Sequence, residues 1–207
     1  MCISMNITIR PEEEKDYNSV ENLTREAFWN VYRPGCDEHL LIHNIRNKKE
    51  FIKELDYVAV FNNVIVGSII YAKAKVIGIN KEYDVITFGP VSVLPICQKN
   101  GIGKKLIEHT IAKSKIMGFN AILIYGNPKY YEKFGFKNSK EYKITDMEGN
   151  YNDALMALEL YPDSLKNISG KFFEGEAYKI DKKELEIFER NFPYKEKLVL
   201  ETQIFKE

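Results

Sequence analysis

Hydrophobic and polar positions change period several times along the chain, and each change marks an element. "NITIRP" (6–11) alternates as a strand does, and Pro11 ends it. From Glu12 to Trp29 the period becomes helical, with Val20, Leu23, Ala27 and Phe28 on one side. A Pro-Gly break at 34–35 precedes a second helix, expected from about Asp37. "YVAVFNNVIVGSIIYAKAKVI" (57–77) reads as two strands turning at Asn62-Asn63. "YDVITFGPVSVLP" (83–95) is another strand, with a bulge or edge break expected at Gly89-Pro90. A helix opens near Gly103, followed by a buried strand "AILIYG" (121–126), a short helix "PKYYEKFG" (128–135) and a strand "ALMALEL" (154–160). The order βααβββαβαβ predicts a mixed α/β (α+β) fold, with antiparallel strands first and a parallel crossover in the second half.

After Tyr161 the pattern weakens. "SGKFFEGEAYKI" (169–180) reads as a strand or hairpin and "DKKELEIFERNF" (181–192) as a short capped helix, with aromatic residues that imply packing. The expected division is one domain over 5–162 and a C-terminal extension, 163–207, packed on it. The first four residues read as a ragged start, and no internal repeat is visible.

Composition narrows the classes. With 44% hydrophobic residues, a chain of 207 can bury a real core. Thirty basic side chains balance thirty acidic ones, so nothing global points to nucleic acid or an anionic membrane. The longest apolar runs, such as Val64 to Ile70, are too short to span a bilayer, and no secretion leader is read at the start. Cys2, Cys36 and Cys97 fit neither a disulfide framework nor a paired-cysteine zinc site, so a reducing cytoplasm is the expected setting.

The most informative stretch is "CQKNGIGKKLIEHTIAKSK" (97–115), a loop opening onto a helix. Such a junction presents unpaired N–H groups and the positive end of the helix dipole, and glycines let a ligand approach closely. Ile102, Leu106, Ile107, Thr110, Ile111, Ser114 and Met117 form the core stripe. Lys99, Lys104 and Lys105 crowd the helix start, where an anion would offset the cost of placing cations. The stretch reads equally as a phosphate cradle or as a glycine turn with solvated lysines. A Walker loop is absent, and Leu106 stands where a dinucleotide fingerprint needs its third glycine.

"VSVLPICQKNGIGKKLI" resembles the signature of the GNAT superfamily of acyl-CoA-dependent N-acetyltransferases, with Gln98, Gly101 and Gly103 at its three fixed positions. "IRP" with the first helix, "VIVGSIIY" and "YYEKFGF" resemble further pieces of that family, in order. "PGCDEH", "TFGPVSV" and "DALMALELY" are similar to a narrower bacterial subgroup. The resemblance implies a mostly antiparallel central sheet whose parallel strands splay around acetyl-CoA. Val91 and Val93 would offer backbone groups to the pantetheine arm. The stretch Gln98, Lys99, Asn100, Gly101, Ile102, Gly103 and Lys104 would hold the pyrophosphate. Asn127 would bond the pantetheine, although Pro128 departs from the common pattern. Tyr131 resembles the tyrosine that protonates the leaving sulfur, with packing as its alternative role. Tyr130 is its neighbour on the cofactor wall.

The general base is less visible. Cys36, His39 and His43 share a helical face, too few for a zinc site, so they pack, cap or line the acceptor cleft. His109 reads as structural or solvated, Cys97 lacks a base to make it nucleophilic, and Glu12–Glu14 reads as a helix start. The expected function is acetyl transfer from acetyl-CoA to a primary amine, small-molecule or peptide, by direct attack in a ternary complex. No metal, nucleic acid or membrane is expected, and the protein would be a monomer or homodimer. The competing class is a non-catalytic acyl-CoA-binding sensor or scaffold.

Overall fold

The alternating segments form one twisted sheet. In the computed structural model, which describes residues 6–205, its strands are β1 (Thr8–Pro11), β2 (Tyr57–Phe61), β3 (Val64–Ile77), β4 (Glu82–Val93), β5 (Ala121–Tyr125), β6 (Lys137–Asn138), β7 (Ile144–Thr145), β8 (Leu155–Glu159) and β9 (Gly170–Phe173). Cys2 and the ragged start expected at 1–4 lie outside the described residues. The main order is β1-β2-β3-β4-β5-β8-β6, and β9 pairs with β3 and β7. Among the described residues five α-helices flank the sheet: α1 (Tyr17–Phe28), α2 (Glu38–Arg46), α3 (Ile102–Ile116), α4 (Pro128–Tyr131) and α5 (Lys182–Glu189).

Asn62 and Asn63 take positive φ (48° and 62°) and close the β2–β3 hairpin as read. The first helix begins later than its periodicity suggests. Glu12 is buried, donates its N–H to the Asp56 carbonyl and pairs with Arg46 at 2.5 Å. Helical winding starts only at Glu14, where the Asp16 carboxylate accepts the Glu13 N–H at 3.0 Å. Glu12 is therefore part of a buried ion-pair network rather than a solvated helix start.

The decisive irregularity lies in β4. Ile69 pairs with Val91 and Tyr71 with Phe88, so Gly89 and Pro90 together face the single residue Ile70. This bulge bends the strand. Parallel pairing with β5 registers only at Ile86↔Ile122, and beyond it the two strands part. The main core fills one face of the sheet: Ile69, Tyr71, Ile86 and Ile122 pack beneath Ile102, Leu106 and Ile107 of α3. A β-carbon on Gly67 would lie 2.9 Å from Ile102 Cγ2, so glycine at that point lets the helix sit close on β3. Leu106 is fully buried, and its truncation to alanine would cost about 2–5 kcal/mol.

The C-terminal segment is tied across α1. Arg25, 2% exposed, donates from Nε to Glu189 Oε1 (2.9 Å) and from Nη2 to the Pro193 carbonyl (2.9 Å), with its guanidinium over the Trp29 ring. Trp29 Nε1 and Asn30 Nδ2 donate to the Glu196 carbonyl, and the Phe205 N–H donates to the Tyr32 carbonyl. These bonds hold the segment that joins α1 to α2.

Candidate active site

Where β4 and β5 part, a cleft of about 910 Å³ opens, a volume suited to a sizeable ligand. Its floor is the bulged end of β4, Phe88 to Val91 with Val93, and the end of β5, Tyr125 and Gly126. Gln98, Lys99, Gly101, Ile102, Gly103 and Lys104 form one wall, with Asn127, Tyr130, Tyr131 and Lys133 beside it.

The glycine loop is built from backbone. Lys99 (φ 63°) and Gly101 (φ 78°) are both left-handed, which turns the chain sharply into α3. Gly101 caps α3 without a side-chain bond, and the first intrahelical bond runs from Lys105 N–H to its carbonyl, at 3.0 Å. The N–H groups of Ile102, Gly103 and Lys104 thus precede the helical ladder, at the positive end of a fifteen-residue helix. A β-carbon at Gly103 would approach the Tyr130 hydroxyl to 3.1 Å, so the cradle surface there is bare backbone. Gln98 Nε2 donates to the Val93 carbonyl (3.1 Å), tying the loop to β4. Asn100 does not line the cleft; its Nδ2 donates to the Cys97 and Gln98 carbonyls and braces the loop from within.

Tyr131 stands among the rings of Phe88, Tyr130, Phe134 and Phe136. A β-carbon at Gly126 would fall 2.2 Å from this ring, so glycine there is what admits the tyrosine. Burial pushes its phenol well above the ordinary range, so the hydroxyl keeps its proton at neutral pH. Asn127 lines the cleft, and its Oδ1 accepts the Lys129 N–H (3.1 Å) as the cap of α4.

The rest of the lining comes from α1–α2 (Phe28, Val31, Tyr32, Glu38, Leu41) and from the C-terminal extension (Glu174, Tyr178). The Tyr178 hydroxyl donates to the Gly89 carbonyl at 3.2 Å, fixing that segment against the bulge. Burial raises Glu38 to about 7, with the neighbouring Asp37 adding to the shift, and Glu38 accepts the Asp37 N–H at 3.1 Å. Burial alone raises Glu174 to about 7. Both carboxylates escape the sequence reading. Glu38 lies in the same "PGCDEH" stretch as His39, one residue away on a different helical face. Nothing in the weakly patterned tail marks Glu174.

His39 and His43 are not in the cleft, which corrects their expected acceptor role. His39 is fully buried, its Nδ1 is 3.4 Å from Cys36 Sγ, and the rings of Phe188 and Phe192 pack on it. Its Nε2 lies 2.9 Å from Glu189 Oε2, close but off the line that a hydrogen bond needs. Burial lowers it to about 4, outweighing Glu189, so it is neutral at pH 7. Burial likewise pushes the Cys36 thiol far up. His43 Nδ1 contacts Glu21 at 3.0 Å beside Arg46. The reason is one of phase: Glu38 and Leu41 turn to the cleft while His39, Leu40 and Ile42 turn inward. His109 packs edge-on against Tyr57, and Cys97 is buried. Among the described residues no group of three His, Cys, Asp or Glu is placed to hold a metal ion, and no helix is long and apolar enough to cross a membrane.

A family model described as acetyltransferase (GNAT) domain matches residues 8–138. Among solved structures, the chain is similar to a GNAT family N-acetyltransferase (YhbS) from Escherichia coli in complex with CoA. The two are 19% identical, with 86% of this chain and 94% of that one covered, at a TM-score of 0.75. It is also similar to a GNAT family acetyltransferase from Brucella melitensis in complex with acetyl-CoA, 26% identical, covering 84% and 99% at a TM-score of 0.68. The ribosomal-protein-S18-alanine N-acetyltransferase from Escherichia coli is 19% identical, covering 74% and 94% at a TM-score of 0.52. No curated protein matches the chain. Glu174 and Tyr178 lie beyond the residues that the family model matches.

Proposed function

Because this chain belongs to the acetyltransferase (GNAT) family, we propose that it moves an acetyl group from acetyl-CoA to a primary amine by direct attack in a ternary complex. The observation that carries the reading is the convergence in one cleft of free helix N–H groups, parted strands and a protonated tyrosine. The residues fit the donor. Bare backbone at Gly101 and Gly103, with Lys99 and Lys104 beside it, suits a pyrophosphate. The unpaired edge of β4 around Val91 and Val93 suits an amide-bearing arm.

Acetyl-CoA, when bound, supplies an activated thioester. The protein's own part is to hold the amine, remove its proton and provide one to the departing sulfur. Glu38 is assigned the base, since it titrates near neutrality and lines the cleft. Tyr32 lines the same cleft; burial and then Glu38 raise its phenol, and burial is likewise the main cause for Tyr131, with Tyr130 and Tyr32 adding to it. Glu38 Oε takes the proton that the nitrogen loses as it bonds to the acyl carbon. Tyr131 Oη gives its proton to sulfur as the carbon–sulfur bond breaks. The raised phenol makes donation uphill on its own, so it accompanies bond cleavage. The free thiols of Cys36 and Cys97, both buried, suit a reducing, cytoplasmic setting.

Release of free thiol from acetyl-CoA, followed with and without a mixture of primary amines, tests the reading. Sustained, amine-dependent release supports it. Stoichiometric CoA binding without turnover would reassign the protein to a non-catalytic acyl-CoA-binding module.

A further inference from the structure

The cleft lining divides by charge. Its cations, Lys99, Lys104 and Lys133, come from the glycine loop and from the turn after Tyr131. The parts supplied by α1–α2 and by the C-terminal extension present two carboxylates, Glu38 and Glu174, set among Phe28, Val31, Tyr32, Leu41 and Tyr178. No Lys, Arg or His from those two segments reaches the lining. The arginines of the α1–α2 region are committed elsewhere, Arg33 to Asp37 (2.8 Å), Arg25 to Glu189 and Arg46 to Glu12. Among the described residues neither carboxylate forms an ion pair; burial raises both to about 7, for Glu38 with Asp37 adding to it and backbone N–H groups and the more distant Arg33 offsetting it only in part.

We propose that the acceptor is a cationic amine on an apolar skeleton with no carboxylate beside the reacting nitrogen, and that Glu38 and Glu174 together impose this selection. The proposal rests on the transferase reading and names its substrate class. An ammonium entering this part of the cleft finds the countercharge that the protein itself leaves out, and it draws both carboxyls into their ionised form. A carboxylate carried in with the amine meets like charges in a desolvated space and no base to pair with. Aromatic and aliphatic walls take the carbon skeleton. Free amino acids fail on the charge criterion even where their side chains would fit.

Matched pairs that differ only by the carboxylate test this: tyramine against tyrosine, and phenethylamine against phenylalanine, each followed by thiol release from acetyl-CoA at neutral pH and fixed ionic strength. The expected result is a kcat/KM at least about tenfold higher for the decarboxylated member of each pair. Glu174→Gln should narrow that ratio, chiefly by lowering KM for the amino acid, while the melting shift given by CoA is retained. Equal rates within the pairs, or faster amino acids, overturn the selection and leave the transferase reading intact. So does an unchanged ratio in a folded Glu174→Gln. Should that variant fail to fold, the wild-type ratio alone decides. No thiol release with any amine, while CoA still binds, overturns the transferase reading and this inference with it.

Discussion

A half-buried carboxyl near pKa 7 makes turnover sensitive to pH in the physiological range. If Glu38 is the base, kcat/KM should rise through about pH 7 as it ionises. Glu38→Gln keeps an oxygen for the Asp37 N–H but cannot take a proton, so its profile should lose that limb and fall about 10²–10⁴-fold at the plateau. A Glu38→Gln profile parallel to wild type would move the base to Glu174 or to solvent. His39 gives a stability prediction of the same pH sense. Its folded pKa, about 4, lies below the ordinary value of 6.5, so the unfolded chain binds the extra proton first. Its contribution is complete above the unfolded pKa and is lost as the pH falls through 6.5 towards 4, roughly 3 kcal/mol in all. Urea unfolding at neutral and at mildly acid pH should show a steeper acid loss for wild type than for His39→Gln; equal losses would contradict the burial argument. At this scale the cleft positions of the glycines and Tyr131 were legible because each is set by its own backbone or near neighbours. Glu38 was not, since one residue of helical phase separates it from the core-facing His39.

Among elements, the start of α3 and the tie on α1 make separable predictions. Gly103→Val puts a side chain where the β-carbon already meets the Tyr130 hydroxyl, so CoA affinity should fall roughly 10- to 100-fold, the worth of one charge-assisted hydrogen bond. Calorimetric titration measures this, and an unaltered affinity in a folded variant would make the loop structural only. Glu189→Ala leaves Arg25 buried without its carboxylate, which should cost about 3–5 kcal/mol. Trp29 is the single tryptophan, and its indole sits under Arg25 and donates to Glu196, so its emission should shift to the red as the tie loosens. Unchanged emission with unchanged stability would deny that the tail holds α1. The bulge at Gly89-Pro90 was readable, because glycine and proline both oppose a regular ladder. The late start of α1 was not, because Glu12 is drawn inward by Arg46, more than thirty residues away. The tail's pattern was faint because β9 has four residues and takes its register from β3 and β7.

The whole molecule gathers into one cleft residues from four separated stretches: 27–41, 88–104, 125–133 and 174–178. The stretches that resemble the family signature lie in the second and third, so the mixed sheet and the cleft position of those residues followed from sequence. In the first and fourth, long-range pairing decides what faces inward, and the sequence reading missed the carboxylates Glu38 and Glu174. The central claim is that Tyr131 completes a transfer reaction carried out in this cleft. Single-turnover thiol release by wild type and Tyr131→Phe, at matched acetyl-CoA occupancy, tests it most directly. The hydroxyl acts only as sulfur departs, so the rate should drop about 10²–10⁴-fold while the Kd for acetyl-CoA stays within about twofold. An unchanged chemical rate, or a loss confined to acetyl-CoA binding, would contradict the account.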